Sequence, residues 1–168
     1  MKSAQENEYL EFVAARAKAL YRSAYVLTAG DAHLAEDLVQ ETLSRVYVHW
    51  KRVAGADNPA AYAQTVLVRT FLSLRRRRST TERPVGNVPD GAASGPDTAL
   101  RLTLLDALGQ LPPRDRAVLL LRYWEDRSIE ETARMLRLSS SAVRSQGTRA
   151  LGRVRALLGD SLSDLVPH

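Results

Sequence analysis

The last third of the chain carries polar side chains at the spacing of a DNA-reading helix. They are Ser141, Arg144, Ser145, Thr148 and Arg149. Residues three and four apart share one face of a helix, so the first four point the same way and Arg149 flanks them. A guanidinium can donate two hydrogen bonds to a guanine edge, whereas hydroxyls and a long arginine can also reach phosphates. The pattern predicts a helix that reads duplex DNA in the major groove.

A helix-turn-helix is needed to present those side chains. Ser128 followed by Glu131 has the capping-box spacing that starts a helix, and the turn 137–139 leads to a second helix whose start is covered by serine hydroxyls. The second helix has an apolar stripe that includes Val143, Ala150 and Val154, with Gly147 inside it. Because an interior glycine costs about 1 kcal/mol relative to alanine, Gly147 indicates close helix packing.

Charge distinguishes this unit from a plain αα-hairpin with a solvated arginine and serine face. Six arginines and only two acids, Glu130 and Glu131, lie between residues 128 and 158. Such an excess on a short element favours phosphate binding. The whole chain is basic as well, with a net charge of +5, which favours a polyanionic partner.

A second basic element lies earlier in the chain, on a helix predicted from Pro59 to Arg78. Asn58 can cap this helix, and an apolar side is formed by Ala63, Leu67 and Phe71. The side chains expected away from that side, as a candidate site for single-stranded nucleic acid, are Tyr62, Arg69, Thr70, Arg75, Arg76, Arg77 and Arg78. The alternative is a solvated helix end, where the helix dipole favours cations.

A third element is a polar, mainly acidic ridge formed by Asp37, Gln40, Glu41 and Ser44. The ridge lies opposite an apolar stripe of Val39, Leu43, Val46 and Trp50 on a helix from about residue 32 or 35 to 49 or 50. An acidic surface repels phosphate, so the alternatives are a docking face for a basic protein surface and ordinary solvation.

Helical periodicity elsewhere sets the fold class, which is predicted to be all-α. A first helix is expected over Tyr9–Leu27 and another over Asp97–Leu108, ended by Gly109 in a left-handed cap. Residues 79–97 are rich in Pro, Gly and Ser and have no periodicity, which favours a flexible linker over an ordered surface loop. The chain is therefore divided into two small helical domains, 9–78 and 98–159, joined by the linker 79–97.

Composition excludes several classes of function. The absence of cysteine excludes disulfides and thiolate metal sites, and the three histidines have no ligand spacing, so neither a metal nor a cofactor is expected. No apolar run is long enough to span a membrane, and the first residues lack an apolar signal core, so the protein is expected in the cytoplasm without membrane binding. The chain also lacks a phosphate loop and a nucleophile paired with a base, so it is not expected to be an enzyme.

Taken in order, these elements resemble a bacterial RNA polymerase sigma factor of the extracytoplasmic-function (ECF) group, over about residues 9–158. The segment Asp31–Thr42 looks like the family's regions 2.1 and 2.2, and Asn58–Tyr62 with the arginine run looks like regions 2.3 and 2.4. Leu111–Val118 and Ser141–Gln146, followed by Arg149–Leu151, look like region 4. The pair Ser145-Gln146 is similar to the actinobacterial SigE-like subgroup.

The resemblance implies a role for each element. The acidic ridge would dock on the clamp helices of the largest subunit of core RNA polymerase, and another subunit would contact region 4. The 59–78 helix would bind the −10 promoter element as a melted strand, and the helix-turn-helix would bind the −35 element as duplex. An anti-sigma factor is a possible further partner.

One position departs from the family pattern. Thr70 stands where members commonly carry asparagine near the melted strand, so the −10 base preference is expected to differ. From the residues alone, two other functions stay open. One is a stand-alone helix-turn-helix regulator, and the other is a helical adaptor that binds acidic proteins or membrane.

Overall fold

A computed structural model describes residues 2–78 and 96–165. Within those two ranges the chain is all-α, with eight α-helices, one π-helical segment and no strand. The α-helices are α1 (Lys2–Leu27), α2 (Ala32–Val48), α3 (Trp50–Ala54), α4 (Pro59–Arg78), α5 (Pro96–Gly109), α6 (Pro113–Leu119), α7 (Ile129–Leu136) and α8 (Ser140–Leu165). Most of the predicted linker lies outside the described residues, since α5 already begins at Pro96.

Helices α1 to α4 form an N-terminal bundle around an aliphatic core. The turn before α2 depends on Gly30, whose φ of +88° is readily adopted by glycine, and on Asp31, whose carboxylate accepts a hydrogen bond from the backbone N–H of Leu34. Asn58 caps α4 as predicted, by accepting from the N–H of Ala61 at 3.0 Å. These local devices fix how α2 and α4 present the acidic ridge and the basic face.

Helices α5 to α8 form a C-terminal bundle. The predicted left-handed cap at Gly109 is wrong, because Gly109 is the last residue of α5 and does not have a positive φ. After α6 the chain widens into a π-helical segment, Leu120–Trp124, which periodicity did not predict. This change of pitch leaves Trp124 55% exposed, so it does not continue the buried stripe of Leu120 and Leu121.

The helix-turn-helix forms as the sequence predicts. Ser128 and Glu131 make both hydrogen bonds of the capping box, and Arg137 takes the left-handed conformation that ends α7. Ser139 then caps α8 by accepting from the N–H of Ala142 at 3.0 Å. The interpretation of Gly147 is wrong, since a Cβ atom there would meet Val118 Cγ1 at an ordinary 3.6 Å. Helix packing does not require this glycine.

The two bundles pack against each other and share one continuous hydrophobic core. Helix α4 contacts α6 and α7, and α1 contacts α6 and the π-helical segment. At the rim of this interface, Leu105 of α5 covers Gly30, where an added Cβ would lie 3.0 Å from Leu105 Cδ1. No helix in the described ranges is both long and apolar enough to cross a bilayer.

Candidate nucleic-acid and polymerase interfaces

The predicted duplex-reading face is a solvent-facing surface of α8. All five of its members, Ser141, Arg144, Ser145, Thr148 and Arg149, are exposed, whereas Val143 and Ala150 on the opposite side are buried. The Ser145 hydroxyl donates to the backbone oxygens of Ser141 and Ala142, at 3.1 and 3.3 Å. Its oxygen therefore keeps lone pairs for an incoming donor, and the arginines supply donors for bases or phosphates.

The acidic ridge is also exposed along its whole length. Asp37, Gln40, Glu41 and Ser44 face solvent on α2, opposite the buried Val39, Leu43 and Val46. Glu41 forms an ion pair with Arg45 one turn further on, at 3.2 Å. Arg45 was not among the residues predicted for this ridge, although the spacing of four residues is the signal for such a pair. Asp37, the first residue of the ridge, has no ion-pair partner among the described residues.

The basic face of α4 is less open than predicted. Tyr62, Arg69 and Arg75 are only partly exposed, and Thr70 is 0% exposed. The expectation that Thr70 lies away from the apolar side is therefore wrong, because its hydroxyl is buried and has no hydrogen-bond partner among the described residues. The side chains of Arg76, Arg77 and Arg78 lie outside the described residues, although their backbone continues α4.

Arg69 is engaged in a contact with the helix-turn-helix. Its Nε donates to the carbonyl oxygen of Met135 at 2.8 Å, and its Nη2 donates to that of Arg134 at 3.1 Å. Both carbonyls lie in the last turn of α7, where the helix dipole favours a cation. Burial lowers the pKa of Arg69, and the nearby charge of Arg137 lowers it further.

Arg116 of α6 makes the most buried polar contact between the bundles. The side chain is 4% exposed, its Nη1 donates to the carbonyl oxygen of Leu27 at 2.9 Å, and its guanidinium carbon lies 5.4 Å from the centre of the Phe71 ring. Burial lowers the pKa of Arg116 to about 10, with a smaller contribution from Arg75, so the group remains charged at neutral pH.

Two further hydrogen bonds cross the same boundary. Arg127 Nε donates to Gln64 Oε1 at 3.0 Å, and the Ser23 hydroxyl donates to Glu125 Oε1 at 2.8 Å. Sequence reasoning missed these residues and Arg116, since contacts between residues so far apart in sequence have no local pattern. The spacing of Gln64, three residues before Leu67, is the one signal in the sequence that could have placed it on the apolar side of α4, where the structure buries it.

Arginines from both bundles line a cleft of about 790 Å³ at the boundary. The charged residues of its lining are Arg45, Arg69, Arg75, Arg114 and Arg137, and the apolar residues include Leu72 and Leu136. None of the described residues that line the cleft carries a carboxylate. Positive charge from the two bundles is thus concentrated where they meet.

The described residues form an all-α fold with a capped helix-turn-helix, an exposed arginine and serine face and a separate acidic ridge, which is typical of DNA-binding transcription proteins. Comparison with known families specifies this class. Residues 8–81 match the model of sigma-70 region 2, and residues 101–154 match the model of sigma-70 region 4. The chain belongs to the sigma-70 family of RNA polymerase sigma factors, within the ECF group.

Curated relatives support the same assignment along most of the chain. The RNA polymerase sigma-E factor of Streptomyces avermitilis is 39% identical over 150 residues, which cover 88% of this chain and 83% of the relative. The sigma-E factor of Streptomyces coelicolor is 37% identical, with coverage of 88% and 84%. The ECF sigma factor SigL of Mycobacterium tuberculosis is 34% identical over 149 residues, with 84% of each chain covered.

Solved structures share the fold. The sigma factor RpoE of Bartonella quintana, in complex with the anti-sigma factor NepR, superposes with a TM-score of 0.70 at 22% identity, over 90% of this chain and 97% of that chain. CnrH, in complex with the cytosolic domain of CnrY, gives a TM-score of 0.62 at 22% identity and covers 92% and 90%. The chain is accordingly an alternative sigma factor that directs transcription initiation.

Proposed function

We propose that this sigma factor reads the −35 promoter element as duplex through the exposed face of α8. The observation that carries the proposal is that Arg144, Ser145, Thr148 and their neighbours form one open polar surface near the start of a capped second helix. Recognition helices contact base edges with their N-terminal residues. Arg144 would donate to a guanine edge, and Arg149 on the flank would contact phosphate.

The −10 element is bound as a melted strand by α4 in this proposal. Tyr62 offers a ring for base stacking, Arg69 a guanidinium, and the run from Arg75 to Arg78 a positive end for the strand backbone. Thr70 is buried in the observed packing, so it would affect −10 recognition by positioning α4 and not by contacting a base. Strand capture by α4 would then follow anchoring of α8 on the duplex.

Core RNA polymerase is the proposed partner of the acidic ridge, through the clamp helices of its largest subunit. The support is the exposure of Asp37, Gln40, Glu41 and Ser44, whose negative charge suits a basic surface and repels DNA. A second polymerase subunit would hold region 4. The protein would act in the cytoplasm without catalysing a reaction itself.

An anti-sigma factor is a proposed regulatory partner. The support is that the structures of RpoE and CnrH that share this fold are complexes with an anti-sigma factor and with the cytosolic domain of CnrY, respectively. Co-purification of the tagged chain from its native cell, followed by inhibition of transcription with the captured protein, tests this partner.

Reconstituted transcription tests the promoter-reading function. Purified chain and core polymerase are incubated with fragmented genomic DNA, and transcript starts and bound fragments are sequenced. Two shared sequence elements upstream of the starts are expected, at one fixed spacing set by the polymerase. Binding to palindromes without core enzyme would instead indicate a stand-alone regulator, and no DNA footprint at physiological salt would indicate an adaptor.

A further inference from the structure

The arginine cleft has a chemistry that promoter reading does not use. Its volume is about 790 Å³, and the guanidiniums in its lining belong to Arg45, Arg69, Arg75, Arg114 and Arg137. Only Arg69 and Arg75 have a part in the proposed −10 contact. We propose that this cleft binds a small oligophosphate ligand, which is either inorganic or carried by a nucleoside. The proposal goes beyond the promoter-reading function and does not depend on it.

The charge of the lining is far from the average of the chain. The whole chain has 24 basic and 19 acidic residues, whereas the described lining of the cleft has five arginines and no carboxylate. Arg45 is partly neutralised by its ion pair with Glu41, but Arg114 and Arg137 have no ion-pair partner among the described residues. Cations gathered in a concave surface raise the local concentration of anions. The cleft therefore favours a ligand with several negative charges.

Arg137 occupies the cleft in a backbone conformation that is unfavourable for arginine. It ends α7 with a φ of +57° and a ψ of 45°, in the left-handed region. Helices that end in this way usually have glycine there, because a Cβ atom disfavours the conformation. Non-glycine residues held in the left-handed region are concentrated at functional sites. The side chain of Arg137 is exposed, and a bound anion would give its guanidinium a partner.

Charge and size together define the class of ligand. A phosphate monoester carries a charge of about −1.5 to −2 at neutral pH, so several phosphates are needed to balance this lining. Guanidiniums suit phosphate in particular, because two parallel N–H groups can donate to two of its oxygens. The volume of about 790 Å³ lies within the range of roughly 300 to 1,000 Å³ that is usual for small-ligand pockets.

Apolar side chains in the same lining provide a surface for a nucleoside. Leu72 of α4 and Leu136 of α7 line the cleft together with Pro112 and Pro113, and Ser73 adds a hydroxyl that can donate or accept. Small-ligand pockets commonly combine an apolar lining with a few polar groups that fix the orientation of the ligand. The phosphate chain is common to both sources of ligand, and the contribution of a base can be measured separately.

Isothermal titration calorimetry on the full chain without polymerase tests the site. The probes are sodium tripolyphosphate, GTP and ATP, and the controls are inorganic phosphate and guanosine at the same ionic strength. The parent chain is compared with Arg137→Gly, with Arg114→Ala and with Arg153→Ala, which removes an exposed arginine of α8 outside the cleft. Arg137→Gly is the sharpest variant, because glycine adopts a positive φ without strain and the turn keeps its conformation.

Tripolyphosphate is expected to bind the parent chain at one site, and inorganic phosphate to bind far more weakly. Arg137→Gly and Arg114→Ala should each weaken binding about tenfold, the size of one charge-assisted hydrogen bond, whereas Arg153→Ala should leave it nearly unchanged. The urea unfolding midpoint of Arg137→Gly should equal or exceed that of the parent, which separates lost binding from lost folding. Tighter binding of GTP or ATP than of tripolyphosphate would assign the ligand to a nucleoside, and equal binding to the phosphate chain alone.

The absence of binding at millimolar tripolyphosphate, GTP and ATP would overturn the site. Equal weakening in all three variants would also overturn it, because it would indicate diffuse attraction to a basic chain. A short single-stranded oligonucleotide is titrated in parallel. If it binds more tightly than every probe and loses as much affinity in Arg137→Gly, the cleft belongs to nucleic acid and the small-ligand site is refuted. If Arg137→Gly loses cooperative unfolding, Arg114→Ala decides with the same expectations.

Discussion

The guanidinium of Arg116 and the ring of Phe71 meet across the boundary between the two bundles, with 5.4 Å between the guanidinium carbon and the ring centre. Arg116 belongs to the C-terminal bundle and Phe71 to the N-terminal bundle, so their contact connects the two. The pair joins region 4 to region 2 in the free protein.

A double-mutant cycle measures this pair directly. Arg116→Ala, Phe71→Leu and the double variant are compared by the free energy of urea unfolding, with leucine chosen to keep most of the core volume. The coupling free energy is expected to be about 1 to 2 kcal/mol, the range for a desolvated cation over an aromatic ring. Additive effects of the two substitutions would assign the role of Arg116 to its hydrogen bond with the Leu27 carbonyl alone.

Arg144→Ala tests base reading by α8. A loss of about 1 to 3 kcal/mol is expected at one guanine of the −35 element, together with relaxed preference at that position, measured by transcription from promoters varied there. Arg153→Ala is the matched control, because Arg153 is exposed on another side of α8. An equal loss on every promoter sequence would show that Arg144 contacts phosphate.

Asp37→Lys tests the docking ridge. Asp37 is chosen over Glu41 because Glu41 is already paired with Arg45 at 3.2 Å, so its charge is partly neutralised. Affinity for core polymerase should fall several-fold, since like charges face each other across the interface. Fluorescence anisotropy with labelled protein measures this, and Glu11→Lys on α1 serves as the control. Equal core affinity of the two variants contradicts a ridge-centred docking site.

Gly147→Ala is expected to stabilise the protein by up to about 1 kcal/mol. The site is helical, has no positive φ, and leaves 3.6 Å between an added Cβ and Val118 Cγ1. Gly30→Ala should destabilise instead, because φ is +88° and the new Cβ would lie 3.0 Å from Leu105 Cδ1. Urea unfolding midpoints compare the two, and a loss of stability in Gly147→Ala would restore the close-packing interpretation.

Glu131 links the capping box to pH. Hydrogen bonds from the Ser128 backbone and side chain hold the pKa of Glu131 below its usual 4.5, with smaller help from Arg127 and Arg134. Its ionised form therefore stabilises the fold above pH 4.5, and this contribution is lost as the pH falls through the lower folded pKa. Glu131→Gln keeps a capping-box side chain but should make the unfolding midpoint less sensitive to acid below that pH. An unchanged acid dependence would contradict this assignment.

Much of the fold was predictable because its signals are local. Capping at Asn58 and at Ser128 with Glu131, and the turn 137–139 before a serine-capped helix, depend on residues within four positions of each other, and the structure confirms each of them. Solvent exposure of the α8 face and of the acidic ridge followed from helical spacing alone.

The packing of one bundle on the other was not predictable in the same way. Arg116 and Leu27 are 89 positions apart, and Arg69 and Met135 are 66 apart, so no periodicity records their contacts. The prediction for Thr70 was wrong because threonine is polar and was assigned to the solvent-facing side of α4, whereas the structure buries it. The π-helical segment at Leu120–Trp124 was not predictable from an α-helical period, because its wider turn changes the helical phase. Trp124 is exposed at its end, whereas Leu120 and Leu121 are buried.

The arginine cleft opposes the packing of one bundle on the other. Its five guanidiniums come from both bundles and carry like charges, and the charge of Arg137 is near enough to Arg69 to lower the pKa of Arg69 after the larger effect of burial. Dissolved salt screens such repulsion, with a screening length of about 8 Å at physiological ionic strength, so salt favours the packed arrangement of the two bundles. Separation of the two bundles should therefore be easiest at low ionic strength, where the repulsion across the cleft is least screened.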